Sequence, residues 1–303
     1  MTLDQDKFRG ALLGLAAGDA LGTTVEFSPR GSFEPLTNII GGGPFNLNAG
    51  EWTDDTSMAL CLGQSLINCQ GMNPVDQLNL YCQWWRNGLN SVKGHCFDIG
   101  NTVRSALIRY ENTGAPDCGS TAPMSAGNGS IMRLAPVPLF FAQDPARADE
   151  AAAVSSRTTH AATEAVDGCR LLTHLIISAL GGHDKAKILS TSAYSNSNLC
   201  PRINMLAQGS YQGKSASDIR GSGYIVESLE AALWAFWNSS SFEEGALLAV
   251  NLGDDADTTG AVYGQIAGAY YGMKGIPQHW LKKLTWKDRI TTLADQIHQA
   301  AHK

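Results

Sequence analysis

Two short acidic stretches, far apart in the chain, carry the residue types that hold hard cations. The first is Glu51-Trp52-Thr53-Asp54-Asp55-Thr56 and the second is Gly253-Asp254-Asp255-Ala256-Asp257-Thr258-Thr259-Gly260. Each stands just before a segment of helical apolar spacing. One Thr or Asp in such a place can cap a helix, because its oxygen accepts from an orphaned N–H and a carboxylate suits the positive end of the dipole. Asp254, Asp255 and Asp257 together exceed what one cap can use, and they repel one another unless a cation lies between them. Carboxylate and hydroxyl oxygens without His or Cys suit Mg²⁺ or Mn²⁺ better than zinc. Converging, the two clusters could clamp a pair of divalent ions about 3.5–4 Å apart, the arrangement of two-metal hydrolases. Neither fits the calcium-hand loop with its internal Gly and closing Glu.

Between the clusters lie glycine-rich pieces. Ala126-Gly127-Asn128-Gly129-Ser130, followed by Arg133, reads either as a tight turn or as a cradle in which backbone N–H groups approach an anion and Arg133 adds charge. It is neither a P-loop nor a dinucleotide fingerprint. Asp98-Ile99-Gly100-Asn101-Thr102 reads either as a cap for the helix that follows or as a loop whose carboxylate contacts a sugar.

The elements that must position these residues are helices. Phe8, Leu12 and Leu15 share one face of a first helix that stops near Gly22. Met58, Leu62 and Leu66 mark a second, Val103, Leu107 and Tyr110 another, and Val226, Leu229, Leu233 and Phe236 a further one. Segments near 75–88, 147–156, 162–180, 242–250, 258–272 and 287–301 also carry helical spacing. Residues Leu36 to Ile40 are the one stretch with a strand-like pattern. No Pro/Gly/Ser linker divides the chain, the 209–223 stretch reads as a surface loop, and no repeat of fixed period stands out. An all-α protein forming a single domain over residues 1–303 is expected.

Composition narrows the function. The chain has 303 residues with 44% hydrophobic and 17% charged, which excludes disorder and fibrous classes. A net charge of -6 without any Lys/Arg run argues against nucleic acid as partner. The N-terminus lacks a signal-peptide pattern and the longest apolar run, Leu134 to Ala142, contains two prolines, so neither secretion nor a membrane span is expected. Seven scattered cysteines without a C-x-x-C pair fit a reducing, cytoplasmic setting.

These motifs, with Gly18-Asp19-Ala20-Leu21-Gly22, Val25-Glu26-Phe27 and Thr159-His160, resemble in order those of the ADP-ribosylglycohydrolases. Within that family the chain is most similar to the bacterial enzymes of the dinitrogenase-reductase-activating type, which remove ADP-ribose from arginine. The resemblance implies an orthogonal multi-helix bundle with a dinuclear Mn²⁺ or Mg²⁺ centre. It implies Thr53, Asp54, Asp55, Asp255, Asp257 and Thr258 as metal ligands, and Glu26 as an acidic residue beside them. Asp98 resembles the carboxylate near the scissile ribose, and with Glu26 would be catalytic. Gly100, Asn101 and Thr102, with Gly127, Asn128 and Gly129, resemble the ribose and diphosphate loops, and His160 and Tyr224 resemble pocket residues.

The implied partner is an ADP-ribosylated protein, for instance nitrogenase iron protein in a nitrogen-fixing source, met by a monomeric enzyme. Hydrolysis of an O-linked substrate, such as ADP-ribosyl serine or O-acetyl-ADP-ribose, is the alternative, and non-catalytic ADP-ribose binding is another. One departure stands out: Asp254 follows Gly253 where the family usually has a second glycine, which puts an extra carboxylate near the ligands and a side chain at a position where glycine would give the backbone φ > 0 freedom.

Overall fold

The computed structural model describes residues 3–190 and 198–302. Within them the chain forms helices α1 (Gln5–Gly22), α2 (Asp54–Cys69), α3 (Pro74–Asn87), α4 (Asn101–Thr113), α5 (Pro136–Phe140), α6 (Pro145–Arg157) and α7 (Thr163–Leu180). It continues through α8 (Lys185–Ile188), α9 (Pro201–Ala207), α10 (Ile225–Trp237), α11 (Phe242–Val250), α12 (Ala256–Tyr271), α13 (Gln278–Lys283) and α14 (Lys287–Ala300). The apolar spacings locate most of these to within a residue or two. Local chemistry sets their ends: α3 starts with the Asn73 side chain accepting from Val75 and Asp76 N–H and with Pro74 at its first position, and stops at Gly88 with φ 71°.

The helix pair that organises the molecule is α1 with α12, and glycine is the reason they fit. Gly10, Gly14, Gly18 and Gly22 recur every fourth residue on one face of α1 and meet Gly268, Gly264, Gly260 and Ala256 of an antiparallel α12. A Cβ added at Gly10, Gly14 or Gly18 would fall under 3.0 Å from a carbonyl oxygen of the facing helix. Each glycine costs a helix roughly 0.5–1 kcal/mol relative to alanine, so their presence reflects backbone-to-backbone contact. The four-residue spacing is visible in the sequence. Because the two helices run antiparallel, the last turn of α1 lies beside the first turn of α12. Asp19 is thereby carried to the level of Asp257.

The strand-like reading of Leu36 to Ile40 is overturned. Leu36 N–H donates to Asn251 Oδ1 at 2.7 Å and Asn251 Nδ2 donates back to Leu36 O at 3.0 Å, so a side-chain amide takes the bonds a neighbouring strand would make. No strand occurs among the described residues. The apolar run at 134–142 folds into α5 with Pro136 at its start, where a missing N–H costs nothing. The 209–223 stretch is a loop with one short 3₁₀ turn, Ala216–Asp218, but it is not merely superficial. Tyr211 and Ile219 are buried, Gly221 O accepts from Asp255 N–H, and Gly223 O accepts from Asn128 N–H. No helix is long and apolar enough to cross a membrane among the described residues.

Candidate active site

The first acidic cluster opens α2, yet its own side chains do not cap that helix. Thr53 occupies the cap position without a side-chain cap bond. The capping oxygen comes from Asp19 of α1, which is completely buried. Asp19 Oδ1 accepts from Thr53 N–H and from its hydroxyl at 2.9 Å each. Its other oxygen accepts from Thr56 N–H at 3.0 Å and from the Thr56 hydroxyl at 2.6 Å. With both Asp19 oxygens used, Asp54 and Asp55 are released from capping duty and are buried in the first turn of α2.

The second cluster opens α12 in the same way. Asp255 is at the cap position without capping through its side chain. Glu26 supplies the acceptor: its Oε2 receives Ala256 N–H at 2.8 Å and Asp257 N–H at 3.3 Å. The two clusters meet at Thr53, whose hydroxyl oxygen is 3.3 Å from both Asp55 Oδ2 and Asp257 Oδ2. One carboxylate oxygen from each of Glu26, Asp255 and Asp257 lies within 4.8 Å of the others, and Asp55 Oδ1 is buried without a partner.

Crowding of this kind disfavours charge. Burial first, then Asp257 and Asp255, pushes Glu26 far above the ordinary carboxylate range. Burial followed by Asp98 raises Asp54, and burial followed by Asp19 raises Asp55. Burial also raises Asp255, and it raises Asp257 to about 8. An orphaned oxygen and mutually repelling carboxylates fit a hard divalent cation, which would reverse the sign of every one of these shifts.

Above the acidic floor opens a cleft of about 540 Å³. Asp98 lies in its lining, with its backbone at φ 59°. The helix after it is capped at Gly100 without a side-chain bond, so Asp98 does not serve α4 as a cap. Burial and then Asp257 push Asp98 up to about 9. Gly100, Asn101 and Thr102 bring the N-terminus of α4 to the cleft, and Gly127, Asn128 and Gly129 form part of the facing wall. Asn128 ties that loop to the floor through its Nδ2, 2.7 Å from Asp255 Oδ2. What requires glycine there is His160: a Cβ at Gly129 would stand 2.8 Å from His160 Cε1.

His160 is buried and lines the cleft. Arg133 Nη2 donates to Thr159 Oγ1 at 2.7 Å, which leaves the Thr159 hydroxyl hydrogen for His160 Nδ1 at 2.9 Å. The proton of the neutral ring is therefore assigned to Nε2, on the side of the glycine loop. Burial, followed by Arg133, lowers His160 to about 3 and keeps it neutral.

Two placements differ from what the sequence suggests, and a third residue, Asp254, takes the backbone it pointed to. Arg133 does not reach the cleft; it is fully buried, with its guanidinium 4.6 Å from the Tyr81 ring centroid, and acts on the site through Thr159. Tyr224 is not among the residues lining the cleft, and its hydroxyl donates to Glu164 Oε2 at 2.6 Å and accepts from Arg202 at 2.7 Å. Asp254 does adopt φ 57°, and its backbone is used: its carbonyl accepts from Phe27 N–H at 2.7 Å and its N–H donates to Ser28 O at 2.9 Å. Asp19 is the residue the reading of functional types left without a role. It stands in the Gly18-Asp19-Ala20-Leu21-Gly22 motif, an acidic residue inside an apolar, glycine-spaced helix.

Comparison with known proteins agrees with this geometry. The chain is 46% identical over 296 residues to the ADP-ribosylarginine hydrolase Tri1 of Pseudomonas putida, covering 98% of this chain and 79% of the relative. It is 34% identical to the ADP-ribosyl-[dinitrogen reductase] glycohydrolase of Rhodospirillum rubrum, covering 93% and 91%. A solved structure described as an ADP-ribosylglycohydrolase-related protein complex superposes with a TM-score of 0.88 at 42% identity, covering 98% of each chain. The ADP-ribosylglycohydrolase profile matches residues 1–303, so a chain that brings two acidic helix mouths together under a glycine-walled cleft belongs to the ADP-ribosylglycohydrolase family.

Proposed function

We propose that this protein hydrolyses the N-glycosidic bond between ADP-ribose and an arginine side chain of a modified protein, reversing mono-ADP-ribosylation. The observation that carries the reading is the meeting of the two acidic clusters at Thr53 and Asp257 beneath the cleft. The similarity to two ADP-ribosylarginine hydrolases, at 46% and 44% identity, supports the linkage.

Thr53, Asp54, Asp55, Asp255, Asp257 and Thr258 are the residues that would hold two divalent cations, Mn²⁺ or Mg²⁺, with Glu26 beside them. Such ions, when bound, supply positive charge to the ribose hydroxyls and lower the pKa of a water. The chain's own groups do the rest. Gly127 and Gly129 admit the diphosphate close to backbone, His160 offers its Nε2–H to an oxygen of the substrate, and the α4 N-terminus favours negative charge. Asp98 at the cleft wall orients water toward the anomeric carbon and steadies the oxocarbenium-like centre, while Glu26 shares that electrostatic task. We place the enzyme in the cytoplasm as a single-domain monomer acting on an ADP-ribosylated protein. Dinitrogen reductase is one target to supply.

Incubation of the purified protein and Mn²⁺ with arginine-, serine- and O-acetyl-linked ADP-ribose, with products read by mass spectrometry, tests the reading. Release of ADP-ribose from the arginine substrate in preference to the other two is expected. Preference for an O-linked substrate would replace the arginine assignment, and turnover of none would leave a binding protein.

A further inference from the structure

The two walls of the cleft differ in chemistry. One carries the Gly127–Gly129 loop and the His160 Nε2–H, a donor suited to an anion. The other is built from two short segments, Glu26-Phe27 and Phe97-Asp98, each of which brings a phenylalanine and an acidic residue, consecutive in sequence, to the cleft lining. Both segments contain a residue in left-handed backbone, Phe27 at φ 62° and Asp98 at φ 59°. For a bulky residue such as phenylalanine this conformation is costly and persists only when its surroundings impose it. Here the reciprocal backbone bonds between 27–28 and Asp254 impose it, and their effect is to hold the Phe27 ring out at the mouth of the cleft, 66% exposed. Phe45 links the two rings, with centroids 6.2 Å from Phe27 and 5.4 Å from Phe97. The Phe97 ring already takes a cation within the protein, Lys93 Nζ at 5.5 Å from its centroid.

We propose that Phe27 and Phe97 form the stacking site for the guanidinium of the arginine from which ADP-ribose is removed. The inference rests on the arginine-linked substrate proposed above. A guanidinium is planar, delocalised and weakly hydrated, and it combines stacking on aromatic faces with pairing to carboxylates. This wall supplies both at once: ring faces from Phe27 and Phe97, and carboxyl oxygens from Glu26 and Asp98 to accept guanidinium N–H groups. Adenine also stacks, but it is neutral and lies beyond the diphosphate, whereas these rings adjoin the carboxylates around the scissile bond.

The test compares wild type with Phe27→Leu and Phe97→Leu in three measurements: kcat/KM on ADP-ribosyl-arginine as a free small molecule and within a protein, kcat/KM on O-acetyl-ADP-ribose, and Kd for free ADP-ribose by calorimetry. Leucine keeps apolar bulk, and at position 27 it meets the same backbone demand, but it lacks the π face. Loss on the order of tenfold in kcat/KM on both arginine substrates is expected, with the other two values unchanged. Equal weakening of ADP-ribose binding would overturn the proposal in favour of adenine stacking. A defect confined to the modified protein would overturn it in favour of protein docking, and no defect at all would leave the rings without this role. Failure of wild type to cleave either arginine substrate sinks the linkage itself, a result distinct from normal arginine turnover in both variants.

Discussion

Helices α2 and α12 begin alike and are finished differently. Each opens with Thr and Asp residues, and each receives its cap from a carboxylate elsewhere in the chain: Asp19 for α2, Glu26 for α12. Asp19 spends both oxygens on four donors and is closed off beneath the floor. Glu26 gives one oxygen to the α12 backbone and stands with Asp255 and Asp257 in the acidic group. The same functional group is thus structural at one helix mouth and available for chemistry at the other. The difference lies in how many lone pairs the fold has already used.

The sharpest way to break that contrast is at the α12 mouth. Asp257→Ala should lower turnover by several orders of magnitude, as loss of a metal-holding carboxylate does. Wild type should melt at a higher temperature with saturating Mn²⁺ than in EDTA, because binding relieves the repulsion among Asp54, Asp55, Asp255 and Asp257. That increment should vanish in the variant. Full activity in excess chelator would remove the metal from the account.

Smaller, and still on the chemical side, are Asp98→Asn and Glu26→Gln. Each retains shape and hydrogen-bonding reach while removing the ionisable carboxyl, and each should depress kcat by about 10²–10⁴-fold, the range for acid–base groups. Kd for ADP-ribose should change little with Asp98→Asn, since the diphosphate wall is untouched. Asn caps helices about as well as Asp, so unchanged turnover would return Asp98 to a purely conformational role.

At the α2 mouth the effect should move from rate to stability. Asp19→Asn offers one acceptor oxygen where four donors converge, and should cost about 2–3 kcal/mol in denaturant unfolding. Glu26→Gln keeps an oxygen for the α12 N–H groups and should stay within about 1 kcal/mol of wild type. If the two substitutions destabilise equally, the two caps are equivalent and the distinction drawn between them fails.

The smallest change is expected at Asp254. Its backbone is in the left-handed region, which glycine adopts without strain, and its side chain lies outside the clustered carboxylates. Asp254→Gly should leave Mn²⁺ stoichiometry and affinity unchanged by titration and should raise stability by no more than about 1 kcal/mol. Weaker metal binding in this variant would show that Asp254 supports the ligands after all.

Helix positions were legible because apolar residues recurring at three and four residues reflect which face each helix buries, whatever it packs against. Val103, Leu107 and Tyr110 are buried as their spacing implies, as are Leu229, Leu233 and Phe236. Residue type also sufficed to single out Thr53, Asp55, Asp255 and Asp257 as oxygen donors, and the structure brings them together. Leu36 to Ile40 defeated the same reasoning, because alternation records burial on one side and not the partner that satisfies the backbone. There the partner is the Asn251 side chain, more than two hundred residues away.

What the sequence by itself determined is therefore the longer helices, the oxygen-donor character of the acidic clusters and the family they resemble. Only the tertiary structure decided which carboxylates are free. The glycine faces of α1 and α12 bring backbones into contact, and that contact sets Asp19 against α2 and the last turn of α1 beside Asp257. The same packing buries Arg133 under Thr159, where it directs the His160 proton, and turns Tyr224 toward Glu164. Side-chain direction and hydrogen-bond saturation are properties of three-dimensional neighbours, and no spacing along the chain encodes which lone pair will already be in use.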